Sequence, residues 1–173
     1  MNKFILTLLL TVSLLANEYI VDKKQSDIRF EASKFLFVGV SGTFSKFEGS
    51  VLIDKDSRII QMNGIVDINS INTKDEERDT HLKENDYFNI KQFPSIIFKS
   101  SKIINDKVIA TIDIKGIKKE LTFKIENIEI TDTNLKFNLS SILNRQEFML
   151  NGSMSAVIAD NIDVFANIIA RKK

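Results

Sequence analysis

Residues 70–98 read SINTKDEERDTHLKENDYFNIKQFPSIIF and form the one long polar interval between apolar, alternating segments. Within this interval, Thr73 and Glu76 have the spacing of a capping box, which predicts the start of a helix. Pro94 and the polar residues before it break the pattern, so we expect a short helix over residues 74–85. Because such a helix has few apolar residues, we expect it to lie as a plug or lid against a larger structure.

The chain on both sides of this interval alternates between apolar and polar residues, which predicts strands with one buried face. The predicted buried faces are Ile28, Phe30 and Ala32; Ile60, Met62, Val66 and Ile68; Val108, Ala110, Ile112 and Ile114; Leu135, Phe137 and Leu139; and Val164, Ala166, Ile168 and Ala170. One apolar face per strand is typical of an antiparallel sheet with one side in water.

Turn residues separate these strands at short intervals. Residues 54–57, 105–106 and 131–134 predict hairpin turns, and Gly116 predicts another. The apolar face that ends at Ile125 changes phase before the apolar positions Ile128 and Ile130, which predicts a bulge at residues 126–127. Glycines inside a strand pattern predict bulges or bends in the same way. These are Gly39 and Gly42.

About eight strands with short connections and one inserted helix predict an all-β domain. A long antiparallel sheet leaves two unpaired edges unless it closes on itself, and closure removes the risk of aggregation through those edges. A closed sheet of about eight strands has an interior that is either packed or holds one small ligand. The expected fold is therefore a single antiparallel β-barrel of about eight strands with one short inserted helix.

The first residues of the chain have the pattern of a secretory signal peptide. Lys3 is followed by an apolar run over residues 4–15 and by the small residue Ala16. This run is shorter than the roughly 20 residues that a membrane-spanning helix needs. We therefore predict a signal peptide over residues 1–16, a mature domain over residues 17–173, and a periplasmic or secreted location.

Composition excludes several classes of function. The chain has 24 basic and 23 acidic residues, and this balance lacks the basic surplus of a nucleic-acid-binding domain. It has no cysteine and a single histidine, His81, which is too few for common zinc or iron sites. We expect no metal, no cofactor and no enzymatic activity, and we expect His81 to form a hydrogen bond with Glu77 or a neighbouring strand.

Phenylalanine is unusually frequent, with 13 residues against 2 tyrosines and no tryptophan. An ordinary packed core and a cavity for an apolar ligand both account for this composition. A long apolar ligand needs few hydrogen bonds, which agrees with the lack of a convergent polar motif. The residues predicted to contact such a ligand are Phe30, Phe35, Phe37, Phe44, Ile68, Leu82, Phe88, Phe98, Ile112, Phe123, Phe137 and Phe148.

Several motifs together resemble the signature of the YceI-like lipid-binding family. They are Ser70-Ile71-x-Thr73, Arg78-Asp79-x-His81-Leu82, the aromatic Phe88, Phe93-Pro94-x-Ile96-x-Phe98, Gly42-x-Phe44-x-x-Phe47-x-Gly49 and Arg145-x-x-Phe148. The resemblance covers nearly all of residues 17–173. It implies a lipocalin-like antiparallel barrel with an apolar pore for an isoprenoid, quinone-like or fatty-acyl lipid.

Three hypotheses about function follow. The leading one is an exported binding protein that transports, stores or sequesters a long apolar lipid, with Arg78, Asp79 and His81 tying the helix to the barrel mouth. The second is a secreted interaction module with a fully packed barrel, and pairing as a homodimer is left open. The third is a hydrolase that uses His81 together with carboxylates of the barrel.

Overall fold

Eleven strand segments and one α-helix make up the part of the chain that this computed structural model describes, residues 16–34, 38–152 and 158–173. The strands are β1 Asn17–Val21, β2 Asp27–Lys34, β3 Val38–Phe44, β4 Phe47–Ile53, β5 Ile59–Asp67, β6 Ile71–Asn72, β7 Ser95–Ile104, β8 Lys107–Ile114, β9 Ile117–Ile130, β10 Asn134–Asn144 and β11 Ile158–Lys172. The helix α1 spans Glu76–Leu82, and two 3-10 helices span Ile68–Ser70 and Arg145–Phe148.

These segments close into an antiparallel barrel of eight strands within the described residues. The order around the barrel is β1-β4-β5-β7-β8-β9-β10-β11, and β11 returns to β1, where Ala170 pairs with Val21. β2 pairs with β11 directly beyond β1, so β1 and β2 together form one barrel strand. In the same way, β3 continues into β4 and β5 continues into β6. Three barrel strands are thus each built from two segments. The predicted all-β class and the barrel of about eight strands are confirmed.

Side chains bind the short segment between β1 and β2 to β11. Ile169 donates its backbone N–H to Ser26 Oγ at 2.9 Å, and Ser26 Oγ donates to the Ile169 carbonyl at 3.1 Å. Arg171 Nε donates to Asp22 Oδ2 at 2.8 Å, and this hydrogen bond lowers the pKa of the Asp22 carboxyl from its ordinary value. The barrel wall therefore stays continuous where the ladder of backbone hydrogen bonds is interrupted.

In most strands, the residues that alternation predicts to be internal are buried in the structure. The described residues buried on the inner faces of β8 and β10 include Val108, Ala110, Ile112, Ile114, Leu135, Phe137 and Leu139. Burying a large aliphatic or aromatic side chain of this kind contributes about 1.5–3 kcal/mol to folding. The core is therefore the inside of the barrel, not a layer between separate sheets.

Two of the predicted inward positions are wrong because strand pairing shifts nearby. Ile60 is 39% exposed, since Ile53 pairs with Ile59 while Leu52 pairs with Gln61, and this bulge leaves Ile59 to pack on the core. Ile128 is 44% exposed, although the predicted bulge in this part of β9 is confirmed by a register shift. Sequence alternation alone does not show on which residue a bulge begins.

The predicted turns are confirmed, whereas β3 has no bulge at Gly39 or Gly42. Residues 54–58, 105–106, 115–116 and 131–133 connect successive antiparallel strands. Gly116 has φ +76°, which glycine adopts without strain. The pairing of β2 with β3 runs through Gly39 and Gly42 without a shift, and the ring of Phe30 packs where a side chain of Gly42 would lie.

The predicted signal peptide lies outside the described residues, apart from Ala16. In the ranges that the structure does describe, no helix combines the length and the hydrophobicity that crossing a membrane requires.

Candidate ligand-binding cavity

A cavity of about 290 Å³ lies inside the barrel, and most of the side chains around it are apolar. Eight residues predicted to contact a ligand lie in its lining: Phe30, Phe44, Leu82, Phe88, Phe98, Ile112, Phe123 and Phe137. Ile68 and Phe148 are fully buried in the core outside that lining. Phe35 and Phe37 fall outside the described residues. Contact with a ligand stays a prediction for all twelve.

Further lining residues were missed although the sequence carries a signal for many of them. The apolar ones include Val21, Ile28, Phe47, Val51, Met62, Val66, Ile96, Leu121, Leu139, Leu143, Leu150, Ile162, Val164, Ala166 and Ile168. Most of these lie on the alternating apolar faces, so the same pattern that predicts the core also predicts them. Arg78, Tyr87 and Arg145 also reach the lining, and alternation gives no signal for them.

Aromatic rings in the lining contact one another in two pairs. The ring centroids of Phe98 and Phe123 are 5.3 Å apart in a T-shaped arrangement, and those of Phe30 and Phe44 are 5.7 Å apart and tilted. Such pairs contribute about 0.5–1.5 kcal/mol beyond the burial of their area. Each of these four rings therefore packs against another ring of the cavity wall.

The helix begins later than predicted, and Thr73 is not its cap. Asp75 is the N-cap, and its Oδ1 accepts from the backbone N–H of Arg78 at 3.0 Å. Lys74 has φ 61°, a left-handed conformation that excludes it from a right-handed helix. The sequence offers two capping residues close together, and the backbone at Lys74 selects the second.

Thr73 instead joins the helix to the barrel through Arg78 and Asp79. Thr73 is 4% exposed, and it donates to Asp79 Oδ1 from its backbone N–H at 2.9 Å and from Oγ1 at 2.6 Å. Arg78 Nε donates to Thr73 Oγ1 at 2.8 Å, and Arg78 Nη2 donates to the Thr73 carbonyl at 2.8 Å. Arg78 and Asp79 thus hold the helix to Thr73, the buried residue that follows β6.

Replacing Thr73 with valine is expected to lower the free energy of unfolding by about 1–3 kcal/mol. Valine keeps the shape of the side chain but removes the hydroxyl, which leaves Arg78 Nε without a partner and Asp79 Oδ1 with only the Thr73 backbone N–H, at a buried position. Thr80→Val is the matched control, because Thr80 Oγ1 donates only to the exposed Glu76 carbonyl of the same helix. Urea unfolding measures both variants. Equal losses in the two variants would show that the Thr73 hydrogen bonds do not hold the helix in place.

His81 has a different partner from the one predicted. Its Nε2 lies 3.0 Å from Asp86 Oδ2, and its ring contacts that of Tyr87 edge-on with centroids 5.1 Å apart. The prediction of a bond to Glu77 or to a strand is therefore wrong, because the chain turns back after α1 and brings Asp86 against the helix. Among the described residues that line the cavity, His81 does not appear.

Arg145 is a buried cation at the same end of the barrel as α1. It is 4% exposed, and its guanidinium donates to the carbonyl oxygens of Leu150, Ile158 and Ala159 at 2.9 to 3.1 Å. Its Nη2 also donates to Asp160 Oδ1 at 2.9 Å. One side chain thus holds the segment after β10 against the start of β11. The resemblance pointed to Arg145 without giving it a role.

The connection that contains α1 and the connection that follows β10 also touch each other. The backbone N–H of Asn151 donates to the Asp86 carbonyl at 3.3 Å, and the ring of Tyr87 packs on Gly152. Lys115 Nζ donates to the Met149 carbonyl at 3.1 Å and adds the turn between β8 and β9 to this contact. The α1 end of the barrel is therefore covered by connections that support one another.

Within the described parts of the chain, no three histidine, cysteine or acidic side chains are grouped in a way that would hold a metal ion.

An antiparallel eight-stranded barrel around an apolar cavity, with one helix across one end, defines a lipocalin-like β-barrel protein. The pattern of the YceI-like domain matches residues 19–170, and the chain therefore belongs to the YceI-like family.

Known proteins agree with this assignment. UPF0312 protein SA2479 of Staphylococcus aureus strain N315 is 34% identical over 106 residues, which are 61% of this chain and 62% of that protein. The chain thus matches less than two thirds of the length of this relative. The crystal structure of BcnA from Burkholderia cenocepacia has a TM-score of 0.78 at 20% identity and covers 86% of this chain and 98% of its own.

A polyisoprenoid-binding domain from Saccharophagus degradans, implicated in plant cell wall breakdown, has the same fold. Its TM-score is 0.68 at 15% identity, and the match covers 90% of this chain and 98% of that domain. At these identities the likeness to solved structures establishes the fold.

Proposed function

We propose that this chain is an exported, non-enzymatic binding protein that holds a long apolar lipid in the barrel cavity. The observation that carries the proposal is the cavity of about 290 Å³, lined by phenylalanine and aliphatic side chains. An apolar cavity of this kind binds apolar molecules because their transfer from water is favourable and no hydrogen bonds are lost. The ligand classes that fit are isoprenoid, quinone-like and fatty-acyl lipids.

The length of the ligand follows from the energy of burial. Each buried methylene group contributes about 0.8 kcal/mol, so ten of them contribute about 8 kcal/mol. Association costs an estimated 4–15 kcal/mol in lost freedom, which a short chain barely offsets. Each further buried methylene adds to this gain, so a long chain binds more firmly than a short one. The Saccharophagus degradans domain is named as a polyisoprenoid-binding domain, which supports a ligand of this chemical class.

The two other hypotheses find less support in the geometry. An interaction module with a fully packed barrel would have no cavity, whereas this interior contains one. A hydrolase that uses His81 would need the imidazole beside bound substrate. The His81 ring instead contacts Asp86 and Tyr87, and His81 is not among the cavity-lining residues of the described chain. Transport, storage or sequestration of a lipid is therefore the function that we propose.

Native mass spectrometry of protein purified from the periplasm of its own host tests this proposal. We expect a chain that begins at or near Asn17, together with an adduct of lipid mass that organic extraction removes. Export is proposed because of the predicted signal peptide over residues 1–16. A protein that retains Met1 on a membrane would contradict export, and a protein without any adduct that also rejects long-chain lipids in titration would contradict lipid binding.

A matched pair of variants locates the lipid. Phe98→Gln places a polar group in the cavity lining, whereas Ile97→Gln places it on the exposed outer face of the same strand. We expect the first variant to lose affinity for a fluorescent long-chain lipid while the second keeps it. Equal affinities in the two variants would place the bound lipid outside the barrel.

A further inference from the structure

Three glycines of this chain are packed against aromatic rings of the protein itself. The ring of Phe30 occupies the place of a Gly42 side chain, and the ring of Tyr87 occupies that of Gly152. A Cβ on Gly116 would lie 2.9 Å from Cε1 of Phe93. In each case the missing side chain makes room for a ring, so these glycines are explained by packing within the chain.

Gly64 in β5 has no ring over it. A Cβ on Gly64 would lie 3.7 Å from the Glu48 carbonyl oxygen and 3.7 Å from Phe98 Cβ, which is ordinary contact, and no other atom lies within 4 Å. Steric crowding therefore does not require glycine at this position. A strand normally favours a larger residue, because glycine loses more conformational freedom on folding.

The open space in front of Gly64 belongs to the barrel cavity. Gly64 lies between the cavity-lining residues Met62 and Val66, so alternation turns it inward. It pairs with Gly49 on one side and with Phe98 on the other, and both also line the cavity. The missing side chain therefore leaves a recess in the wall beside the ring of Phe98.

Gly49 does not create this recess. A Cβ on Gly49 would lie 2.9 Å from the Asn63 carbonyl oxygen and 3.0 Å from Val21 Cγ2. Glycine at this position allows β4, β5 and the end of β1 to approach closely. Of the two paired glycines, only Gly64 has room in front of it for a side chain.

We propose that Gly64 is a specificity-determining residue, whose recess takes a lateral substituent of the bound chain, such as a methyl branch. This inference rests on the proposed function and adds to it a preference for chains wider than a straight alkyl chain. At the two buried glycines of this group, Gly42 and Gly152, a ring of the protein itself fills the space that a side chain would take. A recess left open to the cavity is available to the ligand.

The test compares palmitic acid with phytanic acid, which has the same main chain and carries methyl branches. Delipidated wild-type protein and the Gly64→Val variant are titrated with each acid by displacement of a fluorescent long-chain lipid. Valine fills the recess, so we expect the affinity for phytanic acid to fall about tenfold or more, the effect of one misfitting methyl group. The affinity for palmitic acid should change by less than about twofold, because a straight chain gains no contact from the recess.

Ile60→Val, at an exposed position of the same strand outside the cavity lining, is the control and should change neither affinity. Equal losses of affinity for both acids in Gly64→Val would show that Gly64 only adds volume to the cavity. Unchanged affinities would show that the ligand leaves the recess empty. Either result overturns the inference while lipid binding stands. Wild-type protein that binds neither acid nor the fluorescent lipid would overturn the proposed function as well.

Folding is checked by urea unfolding of the same variants. Gly64→Val should be at least as stable as the wild type, because valine favours extended strands. If valine prevents folding, Gly64→Ala replaces it in the titrations, since its methyl group meets only ordinary contacts. An alanine variant that discriminates between the two acids as the wild type does would then overturn the inference.

Discussion

Replacing Arg145 with methionine is expected to lower the free energy of unfolding by about 3–5 kcal/mol. The guanidinium donates to three carbonyl oxygens and to the Asp160 carboxylate from a buried position. Methionine fills a similar volume but donates no hydrogen bond. The buried carbonyl oxygen of Leu150 and the partly buried ones of Ile158 and Ala159 then lose a partner, and an unsatisfied group costs about 1–3 kcal/mol where it is buried.

Gln146→Ala is the matched control for Arg145→Met. Gln146 Nε2 also donates to Asp160 Oδ1, at 3.0 Å, but from an exposed position. Its loss is therefore expected to cost less than about 0.5 kcal/mol. Urea unfolding followed by circular dichroism measures both. A small loss in Arg145→Met would mean that water replaces the guanidinium and that Arg145 does not hold the segment after β10.

Phe148→Ala and Phe98→Ala are expected to differ although both remove the same ring. Phe148 is fully buried outside the cavity lining, so its truncation opens a new hole and should cost about 3–5 kcal/mol. Phe98 already borders empty space, so its truncation enlarges a cavity that exists and loses fewer contacts. We expect its cost to stay below about 3 kcal/mol, the value for burying one such side chain.

Urea unfolding of the delipidated variants gives their free energies of unfolding, and titration with a fluorescent long-chain lipid gives their affinities. Phe98→Ala should weaken lipid binding, and Phe148→Ala should leave it unchanged at temperatures where the variant is folded. A loss for Phe98→Ala as large as that for Phe148→Ala, with binding intact, would mean that the interior around Phe98 is filled. The packed interaction module would then describe the protein better.

The barrel could be predicted from the sequence because each strand shows its buried face by its own alternation, and this pattern is repeated from strand to strand. In β8, every second residue from Val108 to Ile114 is apolar, and this alternation predicts which face is buried. Short turns between such strands leave antiparallel neighbours as the simplest arrangement. Bulges are different, because the exposure of Ile60 depends on how β4 pairs with β5 and not on the residues around Ile60 alone.

The candidate site could be predicted only in part. Alternation shows that Phe98 is internal, but whether the interior is full depends on the sum of volumes contributed by distant strands. The same limit applies to Thr73, whose spacing fits a cap. The backbone turn at Lys74 moves Thr73 into hydrogen bonds with Arg78 and Asp79 instead. Arg145 gave no local signal, since its partners lie on segments that follow it in the chain.

The pairing of β1 with β11 has a consequence for how the protein folds. The seam that closes the barrel joins Val21 to Ala170, so it cannot form until nearly the whole domain is available to the folding chain. Contacts so distant in sequence carry a high entropic cost of loop closure and are typical of slow folding. Until then, both strands present open edges that can pair with other chains. We expect closure of this seam to be the late and rate-limiting event of folding.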